Sequence, residues 1–267
     1  MVRATTERAA SPEARERRRV RTPLLVVTGL AWLVTATMFA RPSSSMHADG
    51  DSMGMAMGAP AHTHGMSRMT AHISAGGLPG FLGMWLLMLT AMMSPVLIAP
   101  LRHLGSRSLP GHRFAARAMF VVAYAAVWCG SGVLLLMVAD VLDRLGAAAP
   151  VAIGVAVLWQ FTPVKQQCLN GHHSRPSLAA FGWQAELAAL RFGARLGAWC
   201  VGSCWTLMLL PLVLTSHPLA VMGVVTLWIW AEQLEFPGLA RWRVRVPTRA
   251  ILVARAATTR LVQPRPV

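Results

Sequence analysis

Apolar residues fill six long runs of this chain, and polar residues are largely confined to the segments between them. A transmembrane helix needs about 20 consecutive apolar residues, and each run reaches or approaches that length. This pattern predicts an all-α fold, a polytopic transmembrane bundle of about six helices with no inserted soluble domain. The runs cover residues 23–40, 78–101, 114–139, 147–163, 194–215 and 219–236.

The order of polar and apolar segments divides the chain into five predicted parts. Residues 1–22 are polar and rich in arginine, which favours a disordered basic cytoplasmic tail. The run 23–40 predicts a first transmembrane helix, and its 18 residues exceed the usual signal-peptide core of about 7–15. An uncleaved anchor is therefore favoured over a cleaved signal. A Met/His-rich extracytoplasmic segment follows at 41–77, then a five-helix membrane core at 78–240 and a basic cytoplasmic tail at 241–267.

The distribution of positive charge predicts the orientation of these helices. With the N-terminus inside, 22 of the 25 lysines and arginines fall in inner segments. Only Arg41, Arg68 and Arg144 fall outside. Because basic loops stay on the cytoplasmic side, we predict an N-in, C-in multi-pass protein of the cell membrane. The inner segments are residues 1–22, 102–117, 164–195 and 237–267.

Composition agrees with a membrane protein. Hydrophobic residues make up 55% of the chain and charged residues 13%, about half the charged share of a soluble domain. The net charge of +15 does not indicate nucleic-acid binding, since no aromatic-interleaved basic patch accompanies it. Anionic lipid headgroups of the bilayer are the expected counter-charge.

Soft metal ligands are concentrated in the predicted outer segment. Residues 46–72 contain six of the sixteen methionines and four of the nine histidines. Thioether and imidazole ligands suit copper, whereas cysteine in an oxidising compartment is lost to disulfides. We predict metal capture here, and the alternative is a low-complexity linker that binds metal incidentally. The candidate ligands are Met53, Met55, Met57, His62 and His64.

Two of the predicted membrane helices also carry sulfur at helical spacing. Met84, Met88 and Met92 are four residues apart and share one helix face. Met93 follows, and Pro95 is expected to bend the helix. Ordinary packing is the alternative explanation, because methionine fills apolar cores well.

The fifth run repeats this spacing with Cys200, Cys204 and Met208. Two thiols one turn apart can hold a soft ion, although small buried cysteines also pack as apolar residues. Because the second and fifth helices run in opposite directions, the two faces could meet and form a continuous series of sulfur ligands.

A further group of polar residues lies near the predicted inner surface. Cys168, His172 and His173 are candidate ligands, but Asn170-Gly171 favours a turn that would weaken their helical alignment. Glu232 lies at membrane depth and needs a partner. Lys165 or an arginine could provide it, and an interfacial salt bridge is a simpler role than a proton relay.

Four motifs resemble a family of bacterial proteins known as predicted metal-binding integral membrane proteins, with no established activity. The resemblance covers about residues 80–240. It implies roles for Met92, Met93, Lys165, Cys168, Cys200, Cys204, Met208 and Glu232. Ser203 and His172-His173 depart from the family's extra cysteines and leave fewer thiols. The motifs are MWLLMLTAMMSP (84–95), WQFTPVKQQCL (159–169), GAWCVGSCWTLM (197–208) and AEQLEFPG (231–238).

These observations predict a protein that binds a soft transition metal, with Cu(I) favoured over other soft or borderline metals. It would transport, handle or sense the ion across the membrane, together with a metal donor or acceptor protein. The alternative is a non-catalytic membrane subunit or assembly factor of a partner complex that could itself depend on copper. A redox enzyme is disfavoured because Cys200 and Cys204 lack the C-x-x-C spacing. Oligomeric state stays open.

Overall fold

The structure is a computed structural model that describes residues 12–40, 66–109, 111–177, 182–214, 216–242 and 247–262. All regular structure in these ranges is helical, as predicted. The helices are α1 Pro12–Ala40, α2 Met66–Met93, a 3₁₀ turn at Ser94–Leu97, α3 Ile98–Arg107, α4 Arg113–Arg144, α5 Ala148–Phe161, α6 Pro163–His172, α7 Gly182–Val213, α8 Pro218–Gln233 and α9 Thr248–Val262.

The first helix extends beyond its predicted start. It begins at Pro12, inside the stretch for which disorder was expected, because the Glu, Ala and Arg residues there favour helix over coil. The candidate ligands of the Met/His-rich segment, Met53, Met55, Met57, His62 and His64, lie outside the described residues.

In the part of the chain that the structure describes, four helices are long and apolar enough to cross a membrane: Val20–Phe39, Gly77–Arg107, Arg113–Arg144 and Trp183–Val213. A fifth span results if α5 and α6, which meet at a 70° bend, count as one broken helix. The sixth predicted run forms α8, which has 16 residues. The predicted count of six membrane helices is therefore not confirmed.

At Pro95, where a bend was predicted, the structure shows a local change of helix geometry. The helix tightens into a 3₁₀ turn from Ser94 to Leu97 and then resumes as α3. Proline lacks an N–H, so a carbonyl in the preceding turn loses its usual partner. The indole N–H of Trp230 on α8 donates to the Met92 carbonyl at 2.7 Å. This bond ties α8 to the break in the α2–α3 span.

Close packing of α7 on α4 organises the bundle. A Cβ added at Gly193 would lie 2.2 Å from the Phe120 carbonyl oxygen, and one at Gly197 would lie 3.1 Å from Val127 Cβ. Small residues one turn apart let two helix backbones approach closely. Helices α5 and α6 pack on other parts of α7, whereas α2 packs on α1 and α4.

The turn expected at Asn170-Gly171 is wrong, because α6 continues through both residues to His172. Tertiary contacts hold this helix in place. The Asn170 amide donates to the Gly238 carbonyl at 2.7 Å and accepts from the Gly238 N–H at 3.0 Å. Gly171 is required by packing, since a Cβ there would lie 2.5 Å from the Trp199 ring.

Candidate metal-binding site

The thiols of Cys200 and Cys204 are buried one turn apart on α7, with 0% and 1% exposure. The Tyr124 hydroxyl on α4 donates to the Cys200 sulfur at 3.3 Å. The Cys204 thiol donates to the Cys200 carbonyl at 2.9 Å. Ser203 donates to the same carbonyl at 2.8 Å, so that oxygen keeps a side-chain donor if the Cys204 thiol turns toward a metal ion.

Hydrogen-bond donors beside Cys200 suit a charged sulfur. Trp128 lies beside Cys200, one turn along α4 from Tyr124. Its indole N–H is buried and close enough to interact with the Cys200 sulfur. A thiolate, the form that binds metals, would therefore find a second donor next to the Tyr124 hydroxyl.

The structure places the predicted methionine ligands in the core without aligning them all with the thiols. Met92, Met93 and Met208 are at most 1% exposed. Met84 and Met88 border a cavity together with Pro211 and Leu212 near the end of α7. Cys200 lies about three turns earlier on α7, where Tyr124 of α4, and not a methionine of α2, donates a hydrogen bond to its sulfur. The continuous series of sulfur ligands between α2 and α7 therefore stays a prediction.

Cys168 reaches the same turn of α7 from another side. A Cβ added at Gly202 would lie 2.6 Å from the Cys168 sulfur, so Cys168 packs directly on Gly202. Successive residues of an α-helix are about 100° apart, which places Gly202 on the face opposite Cys200 and Cys204. Within the described ranges, no three His, Cys, Asp or Glu side chains form a group that could hold a metal ion.

A buried ion pair lies on the other side of this region. Lys165 Nζ and Glu232 Oε1 are 2.7 Å apart, with 4% and 14% of the side chains exposed. Lys165 also donates to the Gln160 side-chain oxygen, and the Trp228 indole donates to Glu232 at 2.8 Å. Of the partners considered for Glu232, the structure selects Lys165.

The ion pair borders a polar cavity. Lys165 and Glu232 line this cavity of about 40 Å³ together with Gln166 and Glu235. That volume exceeds the roughly 10–15 Å³ needed for one water molecule, so the cavity can admit water or a small ion.

His172 and Cys168 share a buried face of α6. Their exposures are 3% and 8%, and they stand one turn apart. His172 Nδ1 is buried without a hydrogen-bond partner among the described residues. His173 differs, because its Nδ1 lies 2.8 Å from the Leu169 carbonyl of its own helix. His172 is therefore better placed than His173 to bind a metal ion together with Cys168.

Sequence reasoning missed Tyr124, Gln160 and Trp228. A signal existed for Tyr124, since it is the single tyrosine of the chain and stands inside a long apolar run. A hydroxyl in such a run needs a partner when it is buried. Gln160 and Trp228 carried no comparable signal, because their roles depend on how α5, α6 and α8 meet.

Fold and site together define a class: an all-helical bundle with several helices apolar enough to cross a membrane and a buried pair of thiols in its core. A sequence model of the family PpoB2, described as copper chaperone, matches residues 82–258. The chain belongs to this family. Neither a curated protein nor a solved structure matches the chain.

Proposed function

We propose that this protein is an integral membrane copper chaperone that holds Cu(I) at Cys200 and Cys204 and passes it to a partner protein. The observation that carries this proposal is the buried thiol pair, bordered by the Tyr124 hydroxyl in a chain of the copper chaperone family. Soft thiolate ligands select Cu(I) over the harder divalent ions.

The lengths and charges of the helices support membrane insertion. Among the described residues, four helices can cross a bilayer, and the bent α5–α6 pair can supply a fifth span. With α8 as a sixth crossing, 22 of the 25 basic residues lie on one side, and the favoured orientation is N-in, C-in. In this orientation the Met/His-rich segment between α1 and α2 faces outward, where its ligands would capture copper.

Transfer of copper toward the inner side of the membrane would use residues of α6. The face formed by Cys168 and His172 is buried, and the His172 Nδ1 atom has no partner among the described residues. Cys168 packs on Gly202, on the face of α7 opposite Cys200 and Cys204. An ion released by those thiols would have to pass around α7 to reach the thiol of Cys168 and the imidazole of His172.

Metal analysis tests this proposal. The full-length protein is produced with copper, purified in detergent and assayed for bound metal by mass spectrometry. The wild type should retain copper, and the Cys200→Ser/Cys204→Ser variant should lose most of it. Serine preserves the size of the side chains and can still accept the Tyr124 hydrogen bond.

The matched control is Cys129→Ser, which removes a partly exposed thiol of α4 from outside this region. It should retain as much copper as the wild type. Equal copper in the wild type and in the Cys200→Ser/Cys204→Ser variant would exclude the thiol pair as the site.

The alternative function is that of a non-catalytic subunit or assembly factor of a partner complex, which needs no metal site of its own. Co-purification of a stable partner by a protein that carries no metal would support this function over copper binding.

A further inference from the structure

A second set of sulfur ligands surrounds a small cavity between α1, α2, α7 and α8. The cavity has a volume of about 30 Å³, and four of its eleven lining residues are methionine. Methionine accounts for only sixteen of the 267 residues in the chain. The four are Met38, Met84, Met88 and Met222.

The chemistry of this lining selects a soft cation. The four thioethers come from three helices and surround a space that close packing would otherwise fill. The polar groups among the lining residues are the Thr35 hydroxyl and the Trp85 indole N–H. Both are already donated, Thr35 to the Ala31 carbonyl at 2.7 Å and Trp85 to the Trp128 carbonyl at 2.9 Å. Among the described residues, no carboxylate or imidazole lines the cavity, so this lining offers hard cations no ligand of the kind they prefer. Thioethers bind Cu(I) without releasing a proton.

Exposure falls from one side of the methionine set to the other. Met38 is 47% exposed, whereas Met88 is 8% and Met222 is 2% exposed. Three flexible, unbranched bonds let each side chain turn its sulfur toward an ion. An ion could therefore meet Met38 first and then reach the buried sulfurs.

The cavity also adjoins the helix that carries the thiols. Pro211 and Leu212 of α7 line it, and Met208, one turn back along α7, is fully buried. At 1.5 Å per residue, Leu212 and Cys204 are about 12 Å apart along α7. Met208 stands midway between them.

We propose that Met38, Met84, Met88 and Met222 form a separate Cu(I) site that accepts the ion at the outer end of the bundle, before it reaches Cys200 and Cys204. This inference rests on the proposed function for its direction, because the N-in orientation places the starts of α2 and α8 outside. Two of these ligands, Met38 and Met222, could not be predicted from residue spacing in the sequence.

The test titrates the full-length protein in detergent with Cu(I) alone, under anaerobic conditions and against a chromogenic Cu(I) chelator. The Met84→Leu/Met88→Leu variant should bind one Cu(I) equivalent fewer than the wild type. Met222→Leu, on a different helix, should raise the dissociation constant of the same Cu(I) equivalent at least tenfold. Leucine matches methionine in volume, so packing is kept while the sulfur is removed.

The matched control is Met119→Leu/Met137→Leu on α4, where both methionines are exposed; it should bind as the wild type does. Cys200→Ser/Cys204→Ser should retain the equivalent that the Met84→Leu/Met88→Leu variant loses. Unchanged binding by the Met84→Leu/Met88→Leu variant, with loss in the cysteine variant, overturns this inference alone. Absence of Cu(I) binding by the wild type overturns it together with the proposed function.

Discussion

Lys165→Met should destabilise the protein strongly, because it leaves Glu232 buried without its counter-charge. In the wild type, Lys165 Nζ lies 2.7 Å from Glu232 Oε1, and the two side chains are 4% and 14% exposed. Methionine is close to the lysine stem in shape, so the change removes the charge and keeps most of the packing. Gln160 also loses the ammonium that it accepts from.

The expected loss of stability depends on the contacts that Glu232 keeps in the Lys165→Met variant. Removal of one partner of a buried ion pair costs about 3–5 kcal/mol. Glu232 keeps the Trp228 indole donor at 2.8 Å and a small exposed fraction, which places the expected loss near the lower limit, about 3 kcal/mol. The double variant Lys165→Met/Glu232→Gln removes both charges and keeps an oxygen that Trp228 can reach. It should therefore recover about 2 kcal/mol of that loss.

The assay is equilibrium unfolding in mixed detergent micelles, followed by tryptophan fluorescence and circular dichroism. All four members of the double-mutant cycle are measured: wild type, Lys165→Met, Glu232→Gln and the double variant. A loss below about 1 kcal/mol for Lys165→Met, the value of an exposed pair, would refute the reasoning. So would a double variant no more stable than Lys165→Met.

Two further predictions concern packing and orientation. Gly193→Ala should lower stability by about 1–3 kcal/mol, because its Cβ would lie 2.2 Å from the Phe120 carbonyl oxygen. Gly130→Ala, whose added Cβ would meet open space, should be neutral or slightly stabilising in the same equilibrium unfolding assay. Equal losses of stability in the two variants would argue against close α4–α7 packing. For orientation, alkaline phosphatase fused after Leu145 should be active and after Leu109 inactive, and the reverse pattern would exclude an N-in protein.

The helices were predictable because apolar runs and prolines act locally. The run 114–139 lies within α4, and Pro95 marks the 3₁₀ break. The run 147–163 corresponds to α5, which ends at Phe161. The sequence did not predict the helix α6 that follows after a 70° bend, where the Thr162 side chain caps the new helix by accepting from the Lys165 N–H.

Individual residues of the candidate site could be identified from the sequence, but the arrangement of the helices around them could not. Spacing identified Cys200 and Cys204 as neighbours on one face, and burial of both agrees with that prediction. Spacing could not tell which helix faces them, because helix pairing depends on small residues such as Gly193 and Gly197 that let α4 approach. The α4 side chain Tyr124 thereby reaches Cys200. Long-range contacts also kept Asn170-Gly171 helical against local turn preference.

Whether the thiols of Cys200 and Cys204 hold Cu(I) is tested most directly by copper X-ray absorption on the full-length protein loaded with Cu(I). The first coordination shell of the copper should be dominated by sulfur, and Cys200→Ser/Cys204→Ser should lose short copper–sulfur scattering that Cys129→Ser keeps. A shell of nitrogen and oxygen alone, or an identical spectrum from the Cys200→Ser/Cys204→Ser variant, would contradict Cu(I) binding by these thiols.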